Sequence, residues 1–127
     1  MNKDEIVKTL IDYERQYGLV NAIYRVYGKN IQVNVGFSNS VCDFGIDELM
    51  LSVRSYNALR RAGINTVGDL IECLNSAGLS SIRNLGKKSI CEIQTKMLVF
   101  GFEQLSQNEK KEFFCRMVQN NMPITND

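Results

Sequence analysis

Apolar side chains recur at spacings of three and four along the first stretch of the chain: Ile6, Leu10, Tyr13 and Tyr17, then Val20, Ile23, Tyr24 and Tyr27. Such spacing lines up one face of an α-helix, and a glycine within it is a break. Two helices are therefore expected between about Asn2 and Tyr27, separated near Gly18. Gly28-Lys29-Asn30 supplies a stop. Ile31-Gln32-Val33-Asn34-Val35-Gly36-Phe37 then alternates apolar with polar or small residues, as a half-buried strand does, and Ser38-Asn39-Ser40 reads as a turn. A lone strand cannot satisfy its own backbone donors and acceptors. The same strand of a second copy would meet that need, and so would a short strand near residues 41–45. Packing as plain extended loop is the third option.

Further along, the periodicity is helical in short pieces. Ser52 is suited to cap a helix from Val53 to Ala62, in which Val53, Tyr56, Leu59 and Arg60 follow helical spacing and which Gly63 ends. Thr66 caps a second helix, Val67–Leu74, with Asp69 near its positive end. A brief helical turn is expected at Leu79–Ile82. Asn84-Leu85-Gly86 then opens a longer helix from Lys87 to about Val99, which buries Ile90, Ile93, Met97 and Phe100 and is closed by Gly101. Ser106-Gln107-Asn108-Glu109 has the pattern of a capping box ahead of Phe113, Phe114, Met117 and Val118. One more amphipathic helix should follow, its aromatic face covering the core, with fraying after Asn120.

The expected fold is thus mainly α. A compact bundle of four to five short helices over residues 43–105 is preceded by a small α-α-β segment over 1–42 and followed by a C-terminal helix and tail over 106–127. The protein has 127 residues, 44% of them hydrophobic, which is enough to bury a core as one compact unit or two very small ones. Fifteen basic against fourteen acidic side chains leave it nearly neutral, so any electrostatic signal lies in the distribution. From Arg54 to Lys96 there are seven bases against three acids, while Asp43, Asp47 and Glu48 gather just before them.

The four cysteines are widely spaced, there is no Cys-x-x-Cys, and histidine is absent, which argues against a zinc site. No apolar run is long enough to cross a membrane, and the start lacks the pattern of a signal peptide. These features suit a reduced, cytoplasmic protein that needs no cofactor and no metal. They also speak against an enzyme, since no nucleophile stands beside a base, no carboxylates are grouped for two metals and no phosphate-binding loop of the nucleotide-hydrolase type is present.

Two turns share one pattern. Ile64-Asn65-Thr66-Val67-Gly68 and Ile82-Arg83-Asn84-Leu85-Gly86 both read Ile-x-x-apolar-Gly, and each precedes a helix start. This is the arrangement of a helix-hairpin-helix pair, whose tight turn lets a helix N-terminus bring free backbone amides to a phosphate. The glycine admits a nucleic-acid backbone that a side chain would hold away, and two such turns at this spacing, with Lys87-Lys88 directly after the second, strengthen the reading.

The stretch from Asp47-Glu48-Leu49-Met50-Leu51-Ser52-Val53-Arg54-Ser55-Tyr56-Asn57-Ala58-Leu59, through Gly63-Ile64 and Val67-Gly68-Asp69-Leu70, to Asn84-Leu85-Gly86-Lys87-Lys88-Ser89 and Glu92-Ile93 closely resembles the C-terminal domain of the bacterial RNA polymerase alpha subunit. The resemblance covers about half of the sequence, roughly Phe44 to Leu105. It implies a compact helical domain that docks in the minor groove of A·T-rich double-stranded DNA and touches sigma factor, transcription activators or other parts of RNA polymerase. Carried over position by position, Arg54 would enter the minor groove with Asn57 beside it. Gly86, Lys88 and Ser89 would hold phosphates, and Glu92 would orient that cluster or meet a base edge. Ala58 stands where many relatives carry a cysteine. Asp47 and Glu48 fit the family's acidic protein-contact surface, while Met50 occupies a position that is often acidic.

Residues 1–42 are too few for the large assembly domain of an alpha subunit, so either a free-standing relative or a piece of a longer protein is expected, with Met1 and the self-contained helical start favouring the former. A homodimer formed through residues 1–42 would present two such readers of DNA. The alternative is a protein-interaction module that contacts RNA polymerase, sigma factor or a regulator without binding DNA.

Overall fold

The computed structural model describes residues 2–28 and 39–121. Seven α-helices are found among them: α1 (Lys3–Tyr17), α2 (Leu19–Tyr27), α3 (Asn39–Cys42), α4 (Val53–Arg61), α5 (Val67–Asn75), α6 (Lys87–Glu103) and α7 (Gln107–Asn120). Short 3-10 turns at Ile46–Leu49 and Leu79–Ser81 complete the order. Among the described residues there is no strand, and no helix is long and apolar enough to cross a membrane. The strand expected at Ile31–Phe37 lies outside the described residues. A short strand near 41–45 does not form: α3 occupies its start, and only Gly45 makes a single antiparallel bridge, to Thr66. The reason is that Val41 is buried in the core, and the Phe44 amide turns back to donate to the Val41 carbonyl.

Backbone contacts divide the protein into two units, Met1–Val35 with Leu105–Asp127, and Gly36–Gln104. In the first, α1 packs against both α2 and α7. Asn2 caps α1 through the Glu5 amide, Gly18 breaks the helical run at φ +86°, and Gly28 closes α2 in the left-handed conformation. The apolar face is narrower than the tyrosine spacing suggests. Ile6, Val7 and Leu10 of α1 and Leu19, Ala22 and Ile23 of α2 are the buried positions. Tyr17 and Tyr24 remain 40% and 57% exposed. The Arg25 guanidinium lies 3.8 Å over the Tyr17 ring, a cation–π contact that keeps an amphipathic tyrosine at the surface. From α7, Phe113, Phe114, Met117 and Val118 are buried, so the C-terminal helix covers apolar surface as its pattern requires.

The second unit is a bundle around a core that includes Ile46, Leu59, Val67, Leu70, Ile93 and Met97. Its α4 starts at the expected Ser52 cap, but its inward face is Ser55, Ala58 and Leu59, whereas Val53 is 76% exposed. Gly101 does not close α6. It is buried within the helix, which continues to Glu103 and carries Phe100 and Phe102 inside as well. A glycine ends a helix when it turns left-handed. Gly63 does so at φ +82°, and Gly101 stays helical.

Candidate nucleic-acid interface

The two turns that look alike in sequence are capped in opposite ways. At the first, Thr66 is the N-cap of α5, and its hydroxyl accepts from the Asp69 amide at 3.0 Å. The Asp69 carboxylate accepts in return from the amides of Asn65 (3.0 Å) and Thr66 (3.2 Å). These backbone bonds, that of Asn65 foremost, hold the Asp69 carboxyl below its usual range. Two amides of this turn are therefore taken by an anion of the protein itself, the Val67 amide by the Phe44 carbonyl and the Asp69 amide by the Thr66 hydroxyl. Gly68 has a packing duty, because a Cβ there would meet Cys42 at 3.0 Å.

At the second turn the cap is Gly86, which offers no side-chain acceptor, and the first turn of α6 carries no acid. It carries Lys87 and Lys88 instead, both exposed. Cations at the positive end of a helix cost about 0.3–1 kcal/mol each, and no acid stands in the same turn to offset them. Four other helices are treated in the opposite way: α1, α4, α5 and α7 each have a side-chain cap. A Cβ built on Gly86 meets nothing within 4 Å, and its φ of −83° suits any residue. Among the described residues nothing calls for glycine there.

Just ahead of Gly86, Asn84 takes a left-handed conformation at φ +67°. This bend sets it opposite α4, where Arg54, Asn57, Ala58 and Arg61 share one face through helical spacing. These five residues line an open concavity of about 360 Å³. Arg54, Asn57, Arg61 and Asn84 are all exposed. The structure thus unites Arg54 and Asn57 with the turn that leads to Gly86, Lys88 and Ser89.

Glu92 faces another way. Its carboxylate accepts from the Ser52 amide at 2.9 Å, from the Ser52 hydroxyl at 2.9 Å and from the Ser55 hydroxyl. Ser55 is fully buried, and its bond is the foremost cause of a Glu92 carboxyl held below the usual range. An anion at the start of α4 offsets the unfavourable placing of Arg54 in its first turn. It also ties α4, which carries Arg54 and Asn57, to α6, which carries Lys88 and Ser89. Sequence reasoning missed this bridge because 40 residues separate its ends. It placed Asn84 in the phosphate-holding turn but not beside Arg54, and it left Arg61 out of the site, although Arg61 lies seven residues after Arg54, a helical spacing that could have flagged it.

Asp47 and Glu48 sit on the 3-10 turn after Gly45, both exposed and outside the concavity. Met50 follows in the left-handed conformation with 76% of its surface exposed, as Val53 has.

Residues 38–98 match the family model for the C-terminal domain of the alpha chain of bacterial RNA polymerase. Among curated proteins, "DNA-directed RNA polymerase subunit alpha" of Symbiobacterium thermophilum is 49% identical over 63 residues, which are 50% of this sequence and 20% of that one. The protein of the same name from Carboxydothermus hydrogenoformans is 41% identical over 92 residues, which are 71% of this sequence and 29% of that one. The protein therefore spans well under a third of the length of these relatives. Among solved structures, the C-terminal domain of the RNA polymerase alpha subunit from Helicobacter pylori aligns with 26% identity and a TM-score of 0.43, over 80% of this sequence and 98% of that one.

Proposed function

We propose, from the premise that this protein belongs through residues 38–98 to the family of C-terminal domains of the bacterial RNA polymerase alpha subunit, that it is a DNA-binding, transcription-associated protein that reads the minor groove of A·T-rich DNA. The observation that carries this reading is the uncapped, doubly cationic start of α6 beside the concavity shared by Arg54, Asn57 and Asn84. Amides at a free helix N-terminus bind anions, and two lysines beside them raise the local positive potential. In this reading Gly86 gives a DNA phosphate close access to the α6 amides, while Lys88 and Ser89 add an ammonium and a hydroxyl. Arg54 enters the groove, where narrow A·T tracts concentrate negative potential and reward a guanidinium without base-specific hydrogen bonds. Asn57 contacts sugar or a base edge beside it. Glu92 positions these groups through Ser52 and Ser55, since its own carboxylate is engaged there.

The exposed run of Asp47, Glu48, Met50 and Val53 suits a protein contact that is part acidic and part apolar, with sigma factor, an activator or another part of RNA polymerase as partner. Pairing of two copies through residues 1–42, where Tyr17 and Tyr24 are exposed, would double the few phosphate contacts one domain makes.

Fluorescence anisotropy with an A·T-rich duplex at two salt concentrations tests the DNA reading. With three to five phosphate contacts, log affinity should fall against log salt with a slope of roughly −3 to −4. Arg54→Ala should weaken binding by about 1–3 kcal/mol. No binding by the wild type at low salt would leave the protein-contact surface as the function of this domain.

A further inference from the structure

Arg60 and Arg61 adjoin in sequence but are held differently. Arg60 donates to the Tyr56 hydroxyl at 3.2 Å, and its guanidinium sits 5.8 Å from that ring centroid. Arg61 has no hydrogen bond or ion pair among the described residues, is exposed, and lines the concavity with Arg54, Asn57, Ala58 and Asn84. A cation in the last turn of a helix favours the helix's negative end. Arg60 supplies that as well, so the placing of Arg61 in the concavity is left without a structural use.

We propose that Arg61 is a further phosphate-contacting residue of this interface, holding the backbone of one strand that borders the groove entered by Arg54. The inference rests on the DNA reading above. Seven residues of helix separate the two arginines, an axial rise of about 10 Å. The minor groove is about 6 Å wide. With α4 entering the groove by its N-terminal end and crossing its edge, a cation that far along the same helix face from one seated in the groove stands at the level of the bordering phosphates. Phosphate contacts position a protein and carry no sequence information, so Arg61 should add affinity equally on every duplex.

Anisotropy titrations of the whole protein test this, using A·T-rich and G·C-rich duplexes over a series of salt concentrations. Arg61→Ala should lower affinity by roughly three- to tenfold, by the same factor on both duplexes, and make the log–log salt slope shallower by about 0.9. Arg61→Lys should keep the wild-type slope, because neutralising a phosphate needs only the charge. Arg60→Ala should leave the slope unchanged. Circular dichroism should find all of these variants folded, alanine being the best helix former at exposed positions. An unchanged slope for Arg61→Ala beside weakened binding by Arg54→Ala overturns this inference and leaves the DNA reading intact. Wild-type binding by Arg54→Ala overturns the DNA reading, and this inference with it.

Discussion

Gly68 and Gly86 occupy the same place in two copies of one pattern, yet their surroundings assign them opposite duties. A Cβ on Gly68 would press on the Cβ and carbonyl oxygen of Cys42, both at 3.0 Å, so α3 or α5 would have to shift. Gly68→Ala should destabilise the protein by about 1–3 kcal/mol, the usual range for overpacking, measured by urea denaturation. Gly86→Ala meets open space and should change stability by less than about 1 kcal/mol. On the proposed reading it should nevertheless weaken DNA binding, because the new methyl stands between a phosphate and the α6 amides. Full DNA affinity in a stable Gly86→Ala protein would remove that turn from the interface.

Between elements, the decisive contact is the one from Glu92 on α6 to the start of α4. Its carboxylate serves the Ser52 amide and two hydroxyls, one of them the buried Ser55. Glu92→Gln places an amide where an acceptor is required and should cost about 1–3 kcal/mol near neutral pH. These bonds favour the charged carboxylate and lower its pKa in the folded protein. Its contribution is therefore complete above the ordinary glutamate value of about 4.3 and is lost as pH falls through the depressed one. Thermal melts of wild type and Glu92→Gln should differ at pH 7, and the gap should shrink as pH falls below the ordinary glutamate value and through the depressed one. A constant gap across that range would show that the ionised carboxylate is not what joins the two helices.

At the scale of the molecule, the first and last parts of the sequence share a unit, with α7 packed on α1, and residues 36–104 form the other. Phe114 is 1% exposed in the first unit. Its replacement by alanine should cost about 3–5 kcal/mol. If residues 1–42 pair two copies, that loss should also convert a dimeric species into a monomeric one in sedimentation equilibrium. A monomeric mass for the wild type would end the pairing proposal, while an unchanged melt of Phe114→Ala would contradict the packing.

Local chemistry was legible along most of the described residues. Gly18, Gly28 and Gly63 mark breaks and ends, and Ser52, Thr66 and Ser106 mark helix starts, because capping and left-handed turns are settled by residues within four positions of each other. The Asn84–Ser89 turn could be singled out for the same reason, lying within a short pattern, whereas Arg54 and Asn57 were singled out by the resemblance to the family and not by their local surroundings. What a residue faces across the fold is a different matter. The end of α6 beyond Gly101, the outward turn of Val53, the contrast between Gly68 and Gly86, the grip of Glu92 on Ser52 and Ser55, and the union of α7 with α1 all depend on contacts far apart in sequence. Hydrophobic periodicity gives each helix an apolar side, but any apolar side satisfies any other, and only tertiary packing decides which of them meet.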